Sequence, residues 1–179
     1  MKFVKTSNKF DDVKIFQGKL FQDSRGQFSK PFFGDILKNE FEGVSEVLYS
    51  KSTKNTIRGL HFQLPPYDVH KLVHCLDGEI NDVFIDLRVD SKNYGNYESI
   101  KLNSSDPISL LIPKGFGHGF SVLSQLATVL YLQSGPFNDE HDSGIFYDSI
   151  GLDWQIDEPI LSDKDKSLVS FEDFISPWK

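Results

Sequence analysis

The sequence predicts an all-β sandwich or barrel made of one domain, and three observations support this fold class. A length of 179 residues fits a single domain that can bury a core without disulfides. Phenylalanine occurs 16 times and aromatic residues make up 13% of the chain, which favours strands because aromatic side chains suit a pleated, half-buried surface. Short apolar segments separated by turn residues recur along the middle of the chain. We therefore predict one domain over residues 1–179, without a linker.

Four of the apolar segments are predicted strands, at residues 71–76, 83–87, 108–112 and 127–132. Turn residues separate them at 77–78, 90–95, 103–107, 113–115 and 134–136. Val83, Ile85 and Leu87 occupy every second position of their segment, which predicts a strand with one buried face. Helix is expected only at residues 33–41 and in a short capping turn at 162–165.

The charge balance excludes some classes of partner. The chain has 19 Lys and Arg against 26 Asp and Glu, a net charge of −7, so its surface repels nucleic acid and acidic lipid. A local cluster of cations can still hold a small phosphorylated ligand. Cys75 is the single cysteine, which excludes an internal disulfide and a cysteine-based zinc site. The polar first ten residues and the lack of a long apolar run predict a soluble, cytoplasmic protein.

The densest group of candidate functional residues contains Arg58, His61 and Lys71, which interrupt apolar strands. A charge inside such a strand is costly unless it meets a partner. His61 is expected to point to the opposite face from Leu60 and Phe62. Each residue alone is compatible with a surface ion pair or a hydrogen-bonded core histidine. Three polar residues on neighbouring strands of a barrel favour an anion-binding cavity.

A second group contains three glycines, at 115, 117 and 119, around His118. This pattern predicts a tight turn or barrel corner that needs positive φ. His118 is then either a ligand contact or a hydrogen-bonded strut. Tyr131 ends an apolar run, which predicts a core residue with its hydroxyl at the rim. It becomes a functional candidate only if it faces His61.

Histidines that converge inside a β barrel can bind a metal, so His61, His70, His74 and His118 are candidate ligands. No second histidine or glutamate follows His61 at close spacing. Lys71, next to His70, would repel a cation. We therefore predict no metal site.

Taken together, these segments resemble the dTDP-4-dehydrorhamnose 3,5-epimerase family, a group of cupin sugar-nucleotide epimerases. The resemblance covers about residues 21–165, and its motifs occur in order and at compatible spacing. The motifs are Asp23-Ser24-Arg25-Gly26, Arg58-Gly59-Leu60-His61-Phe62-Gln63, Lys71-Leu72-Val73, Gly78-Glu79-Ile80, Asp82-Val83, Asp86-Leu87-Arg88, Tyr94-Gly95, Ile112-Pro113, Gly115-Phe116, His118-Gly119-Phe120, Tyr131, Ile150-Gly151, Trp154, Leu161-Ser162 and Asp165.

The resemblance implies a cupin-type jelly-roll barrel, usually a homodimer, that acts on nucleoside-diphosphate 4-keto-6-deoxy sugars without a metal or other cofactor. It also implies catalytic roles. His61 would remove the proton beside the ketone, and Asp165 would orient His61. Lys71 would stabilise the enolate, and Tyr131 would deliver a proton to the opposite face. The implied substrate-binding residues are Arg25 and Arg58 at the diphosphate, His118 in the sugar pocket, and Phe137, Gln63, Lys30 and Asp142.

The chain departs from the family's pattern where the nucleotide is held. Lys30 stands where glutamate is usual, and Glu46 and Leu48 replace a usual Gln and Asn. Phe137 replaces a common tyrosine, and Leu132 replaces a frequent lysine. We hypothesise that the chemistry is kept while the nucleotide or the sugar differs from that of the rhamnose pathway. The alternative function is a non-catalytic or metal-binding cupin that holds a small ligand.

Overall fold

The computed structural model describes residues 3–31, 41 and 43–179. Apart from Phe41, the helix predicted at residues 33–41 lies outside them. The strands are β1 (Phe3–Thr6), β2 (Lys14–Gln17), β3 (Lys19–Asp23), β4 (Gly26–Lys30), β5 (Glu46–Thr53), β6 (Ile57–Gln63), β7 (Lys71–Asp77), β8 (Glu79–Asp86), β9 (Tyr97–Asn103), β10 (Ile108–Ile112), β11 (Phe116–Val122), β12 (Leu126–Gln133) and β13 (Asp142–Gly144). The helical segments are two 3₁₀ turns, Asp139–His141 and Tyr147–Ile150, and α1 (Asp163–Lys166). Among these segments, no helix is long and apolar enough to cross a membrane.

The strands form two large antiparallel sheets and one separate hairpin. The six-stranded sheet has the order β1-β2-β10-β7-β12-β5, and the five-stranded sheet has the order β13-β6-β11-β8-β9. β3 and β4 pair only with each other among the described strands. The four predicted strands are present as β7, β8, β10 and β12, so the prediction of an all-β fold is confirmed.

The main core lies between the two large sheets. Val73 and Val129 of the six-stranded sheet belong to the same buried cluster as Phe84 and Phe120 of the five-stranded sheet. A second cluster covers the outer face of the five-stranded sheet, where Trp178 near the C-terminus packs on Phe62. Each central strand is therefore covered on both sides by apolar side chains.

β8 is buried on both faces, so the prediction of a single buried face was wrong. Val83 and Ile85 pack in the outer cluster, whereas Phe84 faces the core between the sheets. Asp82 and Asp86 are fully buried, although their charge favoured an exposed face. A buried carboxylate is tolerated when it is paired.

Each of the two aspartates is paired, Asp82 with a residue of another strand and Asp86 with residues that follow it closely in the chain. His118 of β11 binds Asp82. Asp86 accepts two hydrogen bonds from the Arg88 guanidinium, at 2.8 and 2.7 Å. Ser91 donates a third, at 2.6 Å.

The glycines around His118 have two different roles. Gly115 has φ = +80° and forms the predicted turn. The other two lie within β11, so the prediction of a turn was wrong for them. A Cβ on Gly119 would lie 2.6 Å from the Arg58 carbonyl oxygen, so glycine lets β6 and β11 approach closely. Their register places His118 opposite His61.

Candidate active site

One cavity of about 390 Å³ is lined by residues of both large sheets. The predicted site residues that line it are Arg58, His61, Gln63, Lys71, His118, Tyr131, Phe137 and Asp142. His61 and Tyr131 therefore open into the same cavity. Tyr131 was a functional candidate only if it faced His61, so it remains one. Leu60 and Phe62 pack in the outer cluster, as the alternation of β6 predicts, although Phe62 also reaches the cavity wall.

His61 is bound to a carboxylate that is distant in sequence. Its Nε2 is hydrogen-bonded to Oδ1 of Asp165, whose side chain is buried. Burial raises the pKa of Asp165. The hydrogen bond to His61 and the charge of His61 lower it, and so do Ser162 and Arg58, so that the pKa lies below its usual value. An ionised Asp165 keeps the hydrogen on Nε2, which leaves Nδ1 of His61 to accept a proton.

The turn that carries Asp165 is the one predicted at residues 162–165. Ser162 caps α1, and its Oγ accepts a hydrogen bond from the Asp165 amide at 3.0 Å. The chain just before it is paired with the start of β6, because Ile57 donates to the Ile160 carbonyl at 3.1 Å. Lys164 also binds Asp142 of β13. These contacts fix α1 beside the strand that carries His61.

Lys71 lies at the cavity as a desolvated cation rather than in a surface ion pair. Its Nζ donates to the His61 carbonyl oxygen at 3.2 Å. Burial lowers the pKa of Lys71 to about 8, against the attraction of Asp142 and Asp82. The ammonium is therefore the main form at neutral pH, and it can stabilise negative charge that develops in the cavity.

His118 is both a strut and a wall of the cavity. Its Nε2 is hydrogen-bonded to Asp82 Oδ2 at 2.9 Å, and both side chains are buried. Burial raises the pKa of Asp82, although His118 and Lys71 oppose this shift. The ring of His118 packs edge-on against Tyr131 with 6.1 Å between centroids. His118 is therefore a hydrogen-bonded strut, and its place in the cavity wall is compatible with the predicted ligand contact.

Tyr131 is placed to act as an acid. Its hydroxyl lies 3.5 Å from Ser50 Oγ. Burial raises the pKa of Tyr131 above its usual value, and the charge of Asp82 raises it further. The hydrogen bond to Ser50 lowers the pKa but does not cancel the effect of burial. The phenol therefore stays protonated at neutral pH and can donate its proton.

The remaining lining residues are fixed by neighbours at the mouth of the cavity. Arg58 Nε donates to Ser52 Oγ at 2.9 Å. Gln63 Oε1 accepts from the Asn138 amide at 2.6 Å. Glu46 accepts from the amide of Phe137 at 2.9 Å. Phe137, half exposed, is thereby held with an aromatic face available at the rim.

Two predicted binding residues are not brought to this cavity. Arg25 lies in the turn of the β3–β4 hairpin, with its side chain 88% exposed and paired with Asp23 at 2.6 Å. Lys30 is the exposed last residue of β4. Neither lines the cavity formed by the same chain.

The four histidines do not form a metal centre. His74 is on the opposite face of β7 from Lys71, and its Nδ1 contacts the Ile108 carbonyl oxygen at 2.9 Å. His61 and His118 each use Nε2 for a carboxylate. Within residues 3–31, 41 and 43–179, no three His, Cys, Asp or Glu side chains are grouped to hold a metal ion.

Sequence reasoning missed three polar residues of the site, Asp82, Ser50 and Ser52. Asp82 stands two residues before Phe84 in the same strand, so the two side chains share a face. This spacing could have indicated that the Asp82 carboxylate is buried. Ser50 and Ser52 lie at alternate positions of β5, and this spacing could have indicated two hydroxyls on one face.

The buried lysine gives a stability prediction. We expect Lys71→Met to raise the free energy of unfolding at pH 7, because methionine avoids the cost of burying a charge. Since the folded-state pKa of about 8 is below the ordinary 10.5, wild type should recover stability relative to the variant as pH rises from about 8 to 10.5. Urea unfolding at several pH values measures this, with Lys51→Met at an exposed position as the control. A stability difference that does not change over this interval would contradict the buried placement.

Comparison with known proteins agrees with this geometry. The family model for dTDP-4-dehydrorhamnose 3,5-epimerase matches residues 7–173. The enzyme of that name from Shigella flexneri is 38% identical over 97% of both chains. The Legionella pneumophila RmlC structure, in complex with dTDP-4-keto-L-rhamnose, matches with a TM-score of 0.89, 30% identity and 97% of both chains. NovW, a 4-keto-6-deoxy sugar epimerase of Streptomyces spheroides, matches with a TM-score of 0.86 and 27% identity, over 95% of this chain and 88% of its own. The predicted resemblance and jelly-roll fold are confirmed, and the chain belongs to the dTDP-4-dehydrorhamnose 3,5-epimerase family of sugar-nucleotide epimerases.

Proposed function

We propose that the protein inverts carbon 3, or carbons 3 and 5, of a nucleoside-diphosphate 4-keto-6-deoxy sugar, and that it needs no cofactor. The observation that carries this proposal is a carboxylate-bound histidine and a protonated phenol lining one cavity. The Legionella relative was solved with dTDP-4-keto-L-rhamnose, a substrate of this chemical class. We place the reaction in cytoplasmic deoxysugar and surface-polysaccharide biosynthesis, in keeping with the single cysteine.

The first step is removal of the proton on the carbon next to the ketone. Such a proton is weakly acidic, so it needs both a base suited to neutral pH and a positive charge at the oxygen. His61 is the base, and Asp165 stabilises the imidazolium that forms. Lys71 provides the charge for the enolate oxygen, since its ammonium is buried beside His61.

The second step is protonation of the enolate from the other face. A proton returned by His61 would restore the starting configuration, so inversion needs a separate donor. Tyr131 is that donor in our proposal, because its phenol stays protonated and lines the same cavity as His61. His118 packs against the Tyr131 ring and forms part of the sugar pocket.

The rim of the cavity is the proposed nucleotide site. Arg58 would bind the diphosphate, since a guanidinium donates in pairs to phosphate oxygens. Phe137 would stack on the base, because an aromatic face accepts any base. Gln63 and Asp142 would line the sugar pocket, and Asp142 would also favour the charged form of Lys71.

We further propose a homodimer in which the β3–β4 hairpin of one protomer reaches the cavity of its partner. Arg25 and Lys30 would then contact the substrate that is bound in the cavity of the other protomer. Apolar side chains exposed at the hairpin and at the edge strand β5 support this proposal, since exposed apolar patches mark interaction sites. They are Phe21, Phe28, Val47, Leu48 and Tyr49.

The base and the acid can be separated by isotope exchange. In D₂O with a 4-keto substrate, His61→Asn should abolish deuterium incorporation, a loss of about 10²–10⁴ in rate. Tyr131→Phe should retain exchange on the His61 face but leave inversion incomplete at one centre. Proton NMR of the sugar measures both. His74→Asn and Tyr94→Phe, at positions that do not line the cavity, are the matched controls. Normal exchange by His61→Asn would show that another residue is the base.

The hypothesis about the nucleotide is tested with a substrate panel. We expect turnover of a dTDP-, CDP-, GDP- or UDP-linked 4-keto sugar other than the rhamnose precursor, because Leu48 presents an apolar side chain to the cavity. Initial rates of exchange across the panel rank the substrates. Exclusive turnover of the dTDP-linked 6-deoxyhexose would refute the hypothesis while leaving the epimerase activity intact.

The dimer proposal predicts a mass near twice 20.4 kDa in sedimentation at micromolar concentration. Arg25→Ala should raise KM for the substrate with little change in kcat, since this residue would contact only the diphosphate. Lys19→Ala, on the same hairpin, is the control. A monomer with full activity, or an unchanged KM in Arg25→Ala, would contradict the arrangement.

A further inference from the structure

The proposed mechanism leaves a phenolate at Tyr131, to which no group has yet been assigned as hydrogen-bond donor. When Tyr131 gives its proton to the enolate carbon, its oxygen becomes negative inside a largely apolar wall. The nearby Asp82 carboxylate opposes that charge, whereas the charge of Arg58 favours it. A hydrogen-bond donor at the Tyr131 oxygen is therefore needed, together with a route for the proton to return.

Ser50 is the side chain placed to meet this need. β5 pairs with β12 in a register that sets Ser50 opposite Val129, two pairs away from Leu48 and Tyr131 and on the same face of the sheet. Ser50 and Tyr131 both line the cavity, and their oxygens are 3.5 Å apart. A serine hydroxyl can donate one hydrogen bond and accept another. Catalytic hydrogen bonds that are long without substrate often shorten when it binds.

We propose, on the basis of the function proposed above, that Ser50 is a positioning residue that holds the Tyr131 phenol and returns its proton. As the C–H bond forms on the sugar, the O–H bond of Tyr131 breaks and Ser50 donates a hydrogen bond to the phenolate. The Ser50 proton then passes to Tyr131, and Ser50 takes a proton from cavity water. The proton count balances, because His61 releases to solvent the proton it removed from the sugar.

The neighbouring hydroxyl on β5 provides an internal contrast. Ser52 is two residues further along the same strand, but its Oγ accepts from Arg58 at 2.9 Å and does not line the cavity. Loss of Ser52 should therefore weaken substrate binding through Arg58. Loss of Ser50 should change the fate of the enolate instead.

The experiment measures two rates in D₂O for each variant, His61-dependent exchange without inversion and inversion itself. Ser50→Ala should slow inversion about ten- to a hundredfold, the factor expected from one hydrogen bond to a charged group. Exchange should be nearly unchanged, so the ratio of exchange to inversion should rise. Ser52→Ala should raise KM and leave this ratio unchanged.

A second pair of variants separates the hydroxyl from packing. Ser50→Thr and Ser50→Val have the same shape and suit a strand, but only threonine keeps the hydroxyl. Ser50→Thr should restore inversion, and Ser50→Val should match Ser50→Ala. An unchanged ratio in Ser50→Ala and Ser50→Val, or an equal loss in all three Ser50 variants, would overturn the role of Ser50. An unmodified protein that neither exchanges nor inverts any 4-keto sugar would overturn the proposed function itself.

Discussion

The hydrogen bond between Asp165 and His61 is the interaction on which the rest of the site depends. It joins residues that are 104 positions apart and attaches the C-terminal part of the chain to the barrel. Without the carboxylate, the His61 ring would have neither a fixed orientation nor a stabilised charged form. The Ser162 cap and the pairing of Ile57 with Ile160 hold this carboxylate in place.

Other polar groups inside the barrel also lie close to a group of opposite charge. His118 is paired with Asp82, and Lys71 lies under the influence of Asp82 and Asp142. Each pair is worth more in a dry interior than in water, because the local dielectric is low. Burial lowers the pKa of Lys71 only to about 8, so its side chain keeps its charge at neutral pH, at a cost in stability when no substrate is bound.

The apolar pattern of the sequence was sufficient for β7, β8, β10 and β12, because alternation and turn residues are local signals. It was insufficient for the burial of β8, where the charges of Asp82 and Asp86 indicated an exposed face. Both are buried, Asp82 paired with His118 of another strand and Asp86 with the nearby Arg88. Composition alone placed Asp165 only in a cap, because nothing local relates it to His61, and its role beside His61 came from the family resemblance. Arg25 marks a further limit, since its proposed role depends on a second protomer.

A crystal structure with a bound unreactive substrate analogue tests the central claim most directly. The account predicts that the sugar ring lies between His61 and Tyr131, with the imidazole Nδ1 and the phenol oxygen each about 3–3.5 Å from carbon 3 on opposite faces. A ring held with both groups on one face, or with the phenol out of reach of the reacting carbon, would contradict it.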